Sequence, residues 1–171
     1  MSESVFAATR LKILGYVVSG EGLSPDQAKV DSVIICFPVP ESVKDVLSFI
    51  GLCSYYRRCI KDFASIAEPL TNFTKKGQPF VWTDAQEKSF QTLKTALTSP
   101  PVLVHPNYKL PMELHYDACD YGIGVVLVNG EEQVLAYVSL LLSSAEKNYS
   151  ITEKECLAGL GSTETQDLFV G

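Results

Sequence analysis

The stretch Glu113–Gly124, ELHYDACDYGIG, decides how the chain is read. Met112, Leu114 and Tyr116 alternate with Glu113, His115 and Asp117, the period-two pattern of a half-buried strand. Asp117 therefore leaves the strand on the side of Glu113 and His115, off the apolar face. Gly122 and Gly124 open a second apolar run, Ile123 to Val128. Asn129-Gly130 signals a tight turn, and Gln133 to Ser139 reads as a third strand. Three such strands in succession make an antiparallel meander. A helix follows from Ser150 or Thr152, with Glu155 on it. Ser150 and Glu153 form a capping-box pair, which gives Glu153 a local task. A carboxylate on a strand and one on a helix can converge on a metal ion, so Asp117 and Glu155 are the candidate ligands.

Upstream the pattern changes to helices. Leu11 to Ser19 reads as a strand, closed by Gly20, Gly22 and Ser24-Pro25. Asp26 to Ile35 reads as a short helix running into an extended segment that ends at Phe37-Pro38-Val39-Pro40. The strongest helix begins at Ser42, with Asp45 three residues on as its capping partner. Its expected buried stripe is Val43, Val46, Leu47, Ile50 and Ser54. Gly51 interrupts it at a cost of about 1 kcal/mol against Ala. Either something packs close there or a ligand approaches the backbone. Tyr55, Tyr56, Arg57, Arg58 and Lys61 follow. A short helix over Phe63 to Phe73 carries Pro69. Another starts at Thr83 or Asp84, each with a capping partner three residues on, and buries Phe90, Leu93 and Leu97. Val102 to Pro111 reads as a connector and the place of a domain boundary.

The chain has 171 residues, enough for one medium domain or two small ones. Its formal net charge of −6 argues against nucleic-acid binding when taken whole. The charge is uneven: residues 1–80 hold nine Lys and Arg against eight Asp and Glu, residues 81–171 five against twelve. The acidity lies with the proposed carboxylate site, and the basic clusters with the helices. Five cysteines without a C-x-x-C pair point to reduced thiols rather than zinc or a disulfide framework. The N-terminus lacks the pattern of a signal peptide, and no apolar run is long enough for a membrane span.

Five segments in register resemble the Pol polyprotein of gypsy-like LTR retrotransposons: LGYVVSGEGLSPDQAKV, FPVPESVKDVLSFIGLCSYYRR, FVWTDAQEKSFQTLKTALTSPPVL, HYDACDYGIG and LLSSAEKNYSITEKECLA. The resemblance covers roughly residues 5 to 158. It implies an α+β chain: the end of the reverse-transcriptase palm over residues 1–22, a mainly helical thumb over 23–106, and the truncated first part of a ribonuclease H-like α/β domain over 107–171. It further implies a role for each motif. Gly15 and Tyr16 match the palm hairpin that positions the primer. The helix from Val43 to Ile60 matches the thumb helix along the minor groove, with Gly51 at the close approach and Tyr55 one turn on. Asp117 and Glu155 match two of the ribonuclease H metal ligands.

The parent enzyme so implied copies RNA into DNA and hydrolyses the RNA of RNA–DNA hybrids with Mg²⁺ or Mn²⁺. Its partners would be a template–primer duplex or hybrid and the rest of the polyprotein, with no membrane. Its place would be a cytoplasmic retroelement particle or the nucleus, not secretion. The polymerase's fingers and catalytic turn are absent, as are at least two of the four ribonuclease H carboxylates. Glu3-Ser4 stand where Lys-Cys is usual, and Leu140 where Arg is usual. The expectation is a metal site that is incomplete and a fragment inactive alone. Two other readings stay open, a non-catalytic nucleic-acid-binding module and a decayed genomic copy. For Gly51 and Tyr55 helix packing competes with duplex contact. For Arg57, Arg58 and Lys61 a solvated face competes with phosphate contact.

Overall fold

The computed structural model describes residues 8–75, 77–118, 122–143, 145–150, 152–154 and 156–157. Strands β1 (Arg10–Ile13), β2 (Tyr16–Ser19) and β3 (Gly22–Pro25) form a small antiparallel sheet in chain order. A helical stretch follows, α1 (Gln27–Val30), which widens into a π-helical turn over Asp31–Ile35. It buries Val30 and Ile34. Lys94 donates to the carbonyls of Ile35 (2.9 Å) and Phe37, closing that turn where its own bonds run out.

Three helices build the main core: α2 (Val43–Tyr55), α3 (Phe63–Thr71) and α4 (Asp84–Thr98). Ser42 caps α2 by accepting from the Asp45 amide at 3.2 Å, and Asp45 accepts back from the Ser42 hydroxyl at 2.7 Å. That bond holds the Asp45 carboxyl below the usual range. Of the two caps open for α4, the structure uses Thr83 with Gln86. Glu87 is taken instead by the Trp82 ring N–H at 2.9 Å. The buried side of α2 is Val46, Phe49 and Cys53, with Phe49 against Phe90 at 4.5 Å between centroids. The helix is thus rotated from the expected stripe, and Leu47 is 52% exposed. A ring as large as Phe49 contributes about 1.5–3 kcal/mol by burial, which outweighs the smaller side chains in setting the rotation. The α-helix ends at Tyr55, short of Ile60, and a 3-10 turn over Arg57–Cys59 follows.

The meander forms as expected, with β4 (Met112–Ala118), β5 (Gly122–Asn129) and β6 (Val134–Leu141) paired in chain order. Its β5–β6 turn differs from the Asn-Gly two-residue form. Asn129 accepts from the amides of Glu131 and Gln133, both at 3.0 Å, and Glu132, not Gly130, carries the left-handed backbone (φ 58°). The longer loop goes with an irregularity at Leu127/Val128 and delays β6 to Val134.

One face of the sheet packs Ile123 and Val125 with Leu142 and Leu157. The other face receives α3. The Ala64 amide donates to the Ser139 hydroxyl of β6 at 3.1 Å. A Cβ on Gly122 would lie 3.7 Å from that of Ala64 and 2.7 Å from the Leu140 carbonyl; one on Gly124 would lie 2.5 Å from Asp62 Oδ1. The two glycines of the deciding stretch therefore make room for a helix. Glu68 on α3 also pairs with Lys147 at 3.9 Å.

The connector is bonded on both sides. Leu23 and Leu103 exchange amide bonds at 2.7 and 2.9 Å, and the Val104 amide donates to Val134 at 2.9 Å. Gly22 (φ 143°) makes this possible, since a Cβ there would meet the Leu103 carbonyl at 2.2 Å. Among the described residues no helix is long and apolar enough to cross a membrane. The four described cysteines are free, Cys53 and Cys59 buried, Cys36 and Cys156 exposed.

Candidate nucleic-acid interface and carboxylate strand

The turn between β1 and β2 is Leu14-Gly15, with φ of 49° and 83°. Glycine suits the second position because the left-handed region costs other residues about 1–2 kcal/mol. Three tyrosines lock this turn to the end of α2. Tyr16 donates to the Tyr55 carbonyl at 2.6 Å, Tyr55 to the Leu14 carbonyl, and Tyr56 to the Gly15 carbonyl at 3.3 Å. Their ring centroids lie 5.0–5.5 Å apart, with Tyr55 and Tyr56 edge to face. Burial pushes the Tyr16 hydroxyl pKa well up, with Cys59 adding to it. Gly15, Tyr16 and Tyr55 are thereby one structural unit.

From that unit a ridge runs back along α2. Lys44, Leu47, Ser48, Gly51 and Tyr55 are all exposed, at the spacing of one helix face. Tyr55 is half exposed, and among the described residues nothing lies within 4 Å of where a Gly51 Cβ would stand. Packing among the described residues therefore gives no reason for Gly51. Leu47 belongs to this ridge, and sequence reading placed it in the core. The available signal was Phe49, whose spacing to Val46 and Cys53 defines the opposite face. Arg57, Arg58 and Lys61 continue past the ridge, all exposed. Among the described residues none of the three is in an ion pair. Between them Cys59 is buried and its thiol is pushed up to about 12, so it stays an inert thiol.

The carboxylate side lies across α3. Asp117 pairs in register with Gly124, and Glu113 with Val128. Paired residues in an antiparallel ladder point to the same face. Asp117, His115 and Glu113 thus share the face on which α3 sits, and all three are exposed. His115 and Glu113 stand 3.5 Å apart. The residue that sequence reading missed here is Asp62, which sits over Gly124, the cross-strand partner of Asp117. Its backbone is left-handed (φ 54°) at the start of α3, where its side chain makes no capping bond. No sequence pattern links it to residues sixty positions on. Glu155, the other predicted ligand, lies outside the described residues. Among the described residues no group of three or more His, Cys, Asp or Glu is placed to hold a metal ion.

The helical unit thus ends in cations and leads into an antiparallel meander with an acid on its first strand. Residues 82–165 match the family described as RNase H-like domain found in reverse transcriptase. The chain as a whole is homologous to the reverse transcriptase/RNase H-like region of retrotransposon Pol polyproteins, gypsy among them. It is 36% identical over 178 residues to the retrovirus-related Pol polyprotein from transposon opus of Drosophila melanogaster, covering 96% of this chain and 18% of that one. To the polyprotein from transposon gypsy of the same species it is 37% identical over 165 residues, covering 90% and 16%. To the Tf2-3 polyprotein of Schizosaccharomyces pombe it is 32% identical, covering 90% and 12%. The chain thus spans under a fifth of these relatives. In fold it is similar to the foamy viral protease-reverse transcriptase, solved in complex with double-stranded DNA (TM-score 0.80, 20% identity, 95% of this chain and 29% of that one). A second such structure holds an RNA/DNA hybrid (TM-score 0.79, 19% identity, 92% and 22%).

Proposed function

We propose that the chain is the duplex-holding and hybrid-processing junction of a retrotransposon polymerase. Residues 1–22 end the palm, 23–106 form the thumb and 107–171 begin the ribonuclease H-like domain. The parent enzyme copies RNA into DNA and hydrolyses the RNA of the hybrid, within a cytoplasmic retroelement particle. The observation that carries this reading is the α2 ridge. Leu47, Gly51 and Tyr55 offer a smooth strip with an open glycine, and cations stand at its end. A strip of this kind lies along a groove by shape, while Arg57, Arg58 and Lys61 reach phosphates. The nucleic acids held by the foamy viral structures support the same partner. Gly15 and Tyr16 fix the primer-side turn to that helix.

The described carboxylates do not complete a Mg²⁺ site. Asp117 and Asp62 share a face, but Mg²⁺ asks for near-octahedral oxygen coordination and a fuller set of anionic groups. A binding role without cleavage is the second reading, favoured by the exposed α2 ridge and its cations, which hold a duplex without a metal. The test is anisotropy of a short labelled RNA–DNA hybrid titrated with the chain at several salt concentrations. Binding is expected to be weak, indifferent to sequence and steeply salt-dependent. Replacing Arg57 and Arg58 by Ala should lower the logarithmic salt slope by about 2. Affinity that ignores salt, or a slope untouched by the double change, refutes the reading.

A further inference from the structure

Helix α3 is capped by another part of the fold. Its N-cap residue, Asp62, gives its side chain no capping bond, and the second helical amide, Ala64 N–H, goes instead to Ser139 Oγ at 3.1 Å. That amide is the one a local cap normally takes. Ser139 sits on β6 opposite Gly124, which in turn pairs with Asp117 on β4. One hydroxyl therefore joins the first turn of α3 to the strand set that carries the acid. The fit around it is close. A Cβ on Gly124 would reach Asp62 Oδ1 at 2.5 Å, and one on Gly122 would come within 3.6 Å of Ser65 Oγ. α3 shares its buried core with α2 through Phe63, Ala67 and Leu70 beside Val46, Phe49 and Cys53.

We propose that Ser139 is a positioning residue: by capping α3 from the sheet, it holds the Asp117 strand at a fixed place relative to the exposed ridge of α2. This rests on the reading of that ridge as the duplex side and of Asp117 as the cutting side. A duplex lying on α2 then meets Asp117 at a spacing set by the α3–β6 seam. The Gly122–Gly124 pair keeps that seam short, and Ser139 keeps it in register. None of the three touches nucleic acid in this arrangement, so all act through the helix they hold.

The experiment measures the spacing on the full 171-residue chain. Ketone-bearing residues replace Ser48 on the ridge side and Glu113 on β4, both exposed, and carry spin labels that spare the native cysteines. Pulsed dipolar spectroscopy then reads the distance distribution in wild type, Ser139→Ala, Ser139→Thr and Gly124→Ala. A narrow distribution is expected in wild type and in Ser139→Thr, which keeps the hydroxyl. Ser139→Ala should broaden it, and Gly124→Ala should shift its mean by pressing on Asp62. Amide exchange at Ala64 should quicken by about 5- to 30-fold in Ser139→Ala, the factor for losing one cap. The β4–β5 ladder should keep its protection. A Ser139→Ala distribution as narrow as wild type overturns the proposal. So does a uniform loss of protection in all elements, which would make Ser139 a stabilising residue only. Hybrid affinity is read on the unlabelled chains, with Ser48 in place, and should change less than about twofold between wild type and the Ser139 variants, since a cap distant from the ridge makes no contact to lose. If wild type binds no hybrid, the duplex reading fails while the distance result still stands or falls alone.

Discussion

Replacing Gly51 by Ala should make the protein more stable and a weaker binder of duplex. Among the described residues a Cβ at Gly51 meets no atom within 4 Å, so the new methyl group clashes with none of them. An exposed interior helix position favours Ala over Gly by about 0.8–1 kcal/mol. With a urea dependence of about 2 kcal/mol per molar for a chain of this size, the unfolding midpoint should rise by about 0.4–0.5 M. The same methyl group stands on the strip between Leu47 and Tyr55. If the backbone at Gly51 is the point of close approach, filling it costs the complex about 1–3 kcal/mol, as overpacking does elsewhere. That is a loss of about fivefold or more in affinity. Urea unfolding followed by circular dichroism gives the first quantity, and anisotropy of a labelled RNA–DNA hybrid gives the second. A lowered midpoint would show that Gly51 is packed after all. A raised midpoint with unchanged affinity would move the duplex off this face of α2.

Three further outcomes follow from the same geometry. Gly15→Ala places a side chain in left-handed backbone, 2.9 Å from the Tyr56 hydroxyl, and should cost roughly 2–4 kcal/mol in urea unfolding, counting the strain and about one lost tyrosine bond; a loss under about 1 kcal/mol contradicts the tyrosine lock. Burial raises the thiols of Cys53 and Cys59 from 9.0 to about 12, so the folded state holds protons that the unfolded chain releases. Their contribution is complete below pH 9 and declines as pH climbs from 9 to 12, by up to about 1.4 kcal/mol per unit for each thiol. Unfolding curves at pH 8 and 10.5 that coincide would show these sites to be wet. Finally, the chain alone is expected to give no RNA cleavage of a hybrid in Mg²⁺ or Mn²⁺, because Mg²⁺ asks for a fuller set of anionic groups than the two matched positions, Asp117 and Glu155, supply; cleavage that vanishes in Asp117→Asn refutes this.

What the sequence made legible is local. The alternation through Met112–Asp117 gave the strand and the side on which Asp117 leaves it, because a half-buried strand has only two faces. Ser42 with Asp45 marked the start of α2 to the residue, since a cap is a short-range bond. The rotation of α2 was not legible from counting apolar positions, because Leu47 and Phe49 compete and the larger ring wins the interior. The Asn129-Gly130 pair misled for a related reason. Asn129 uses its side chain to close a longer loop, and the left-handed position falls on Glu132. Gly122 and Gly124 were visible as punctuation, but their purpose depends on α3 arriving from sixty residues upstream. Ser139 and Asp62 carry no pattern at all; only the fold puts them beside the acid's strand. The pattern made Asp117 a candidate ligand, and only the family resemblance matched it to a ribonuclease H metal ligand.

The bridge between Leu23 and Leu103 has a bearing on how such a chain comes into being. It joins residues eighty positions apart, and His105 reaches the Ser19 carbonyl at 2.8 Å across a still longer gap. On a ribosome adding about 5–20 residues per second, β3 waits roughly 4–16 s for its partner to be synthesised. Until then the backbone groups of Leu23 face solvent or a chaperone. Ala64 waits in the same way for Ser139, seventy-five residues on. The helices can gather around Phe49 and Phe90 early, since their contacts close sooner. The nascent chain would thus carry a formed helical core with two unfinished seams, and translation pausing near Leu103 would prolong the interval in which they are open.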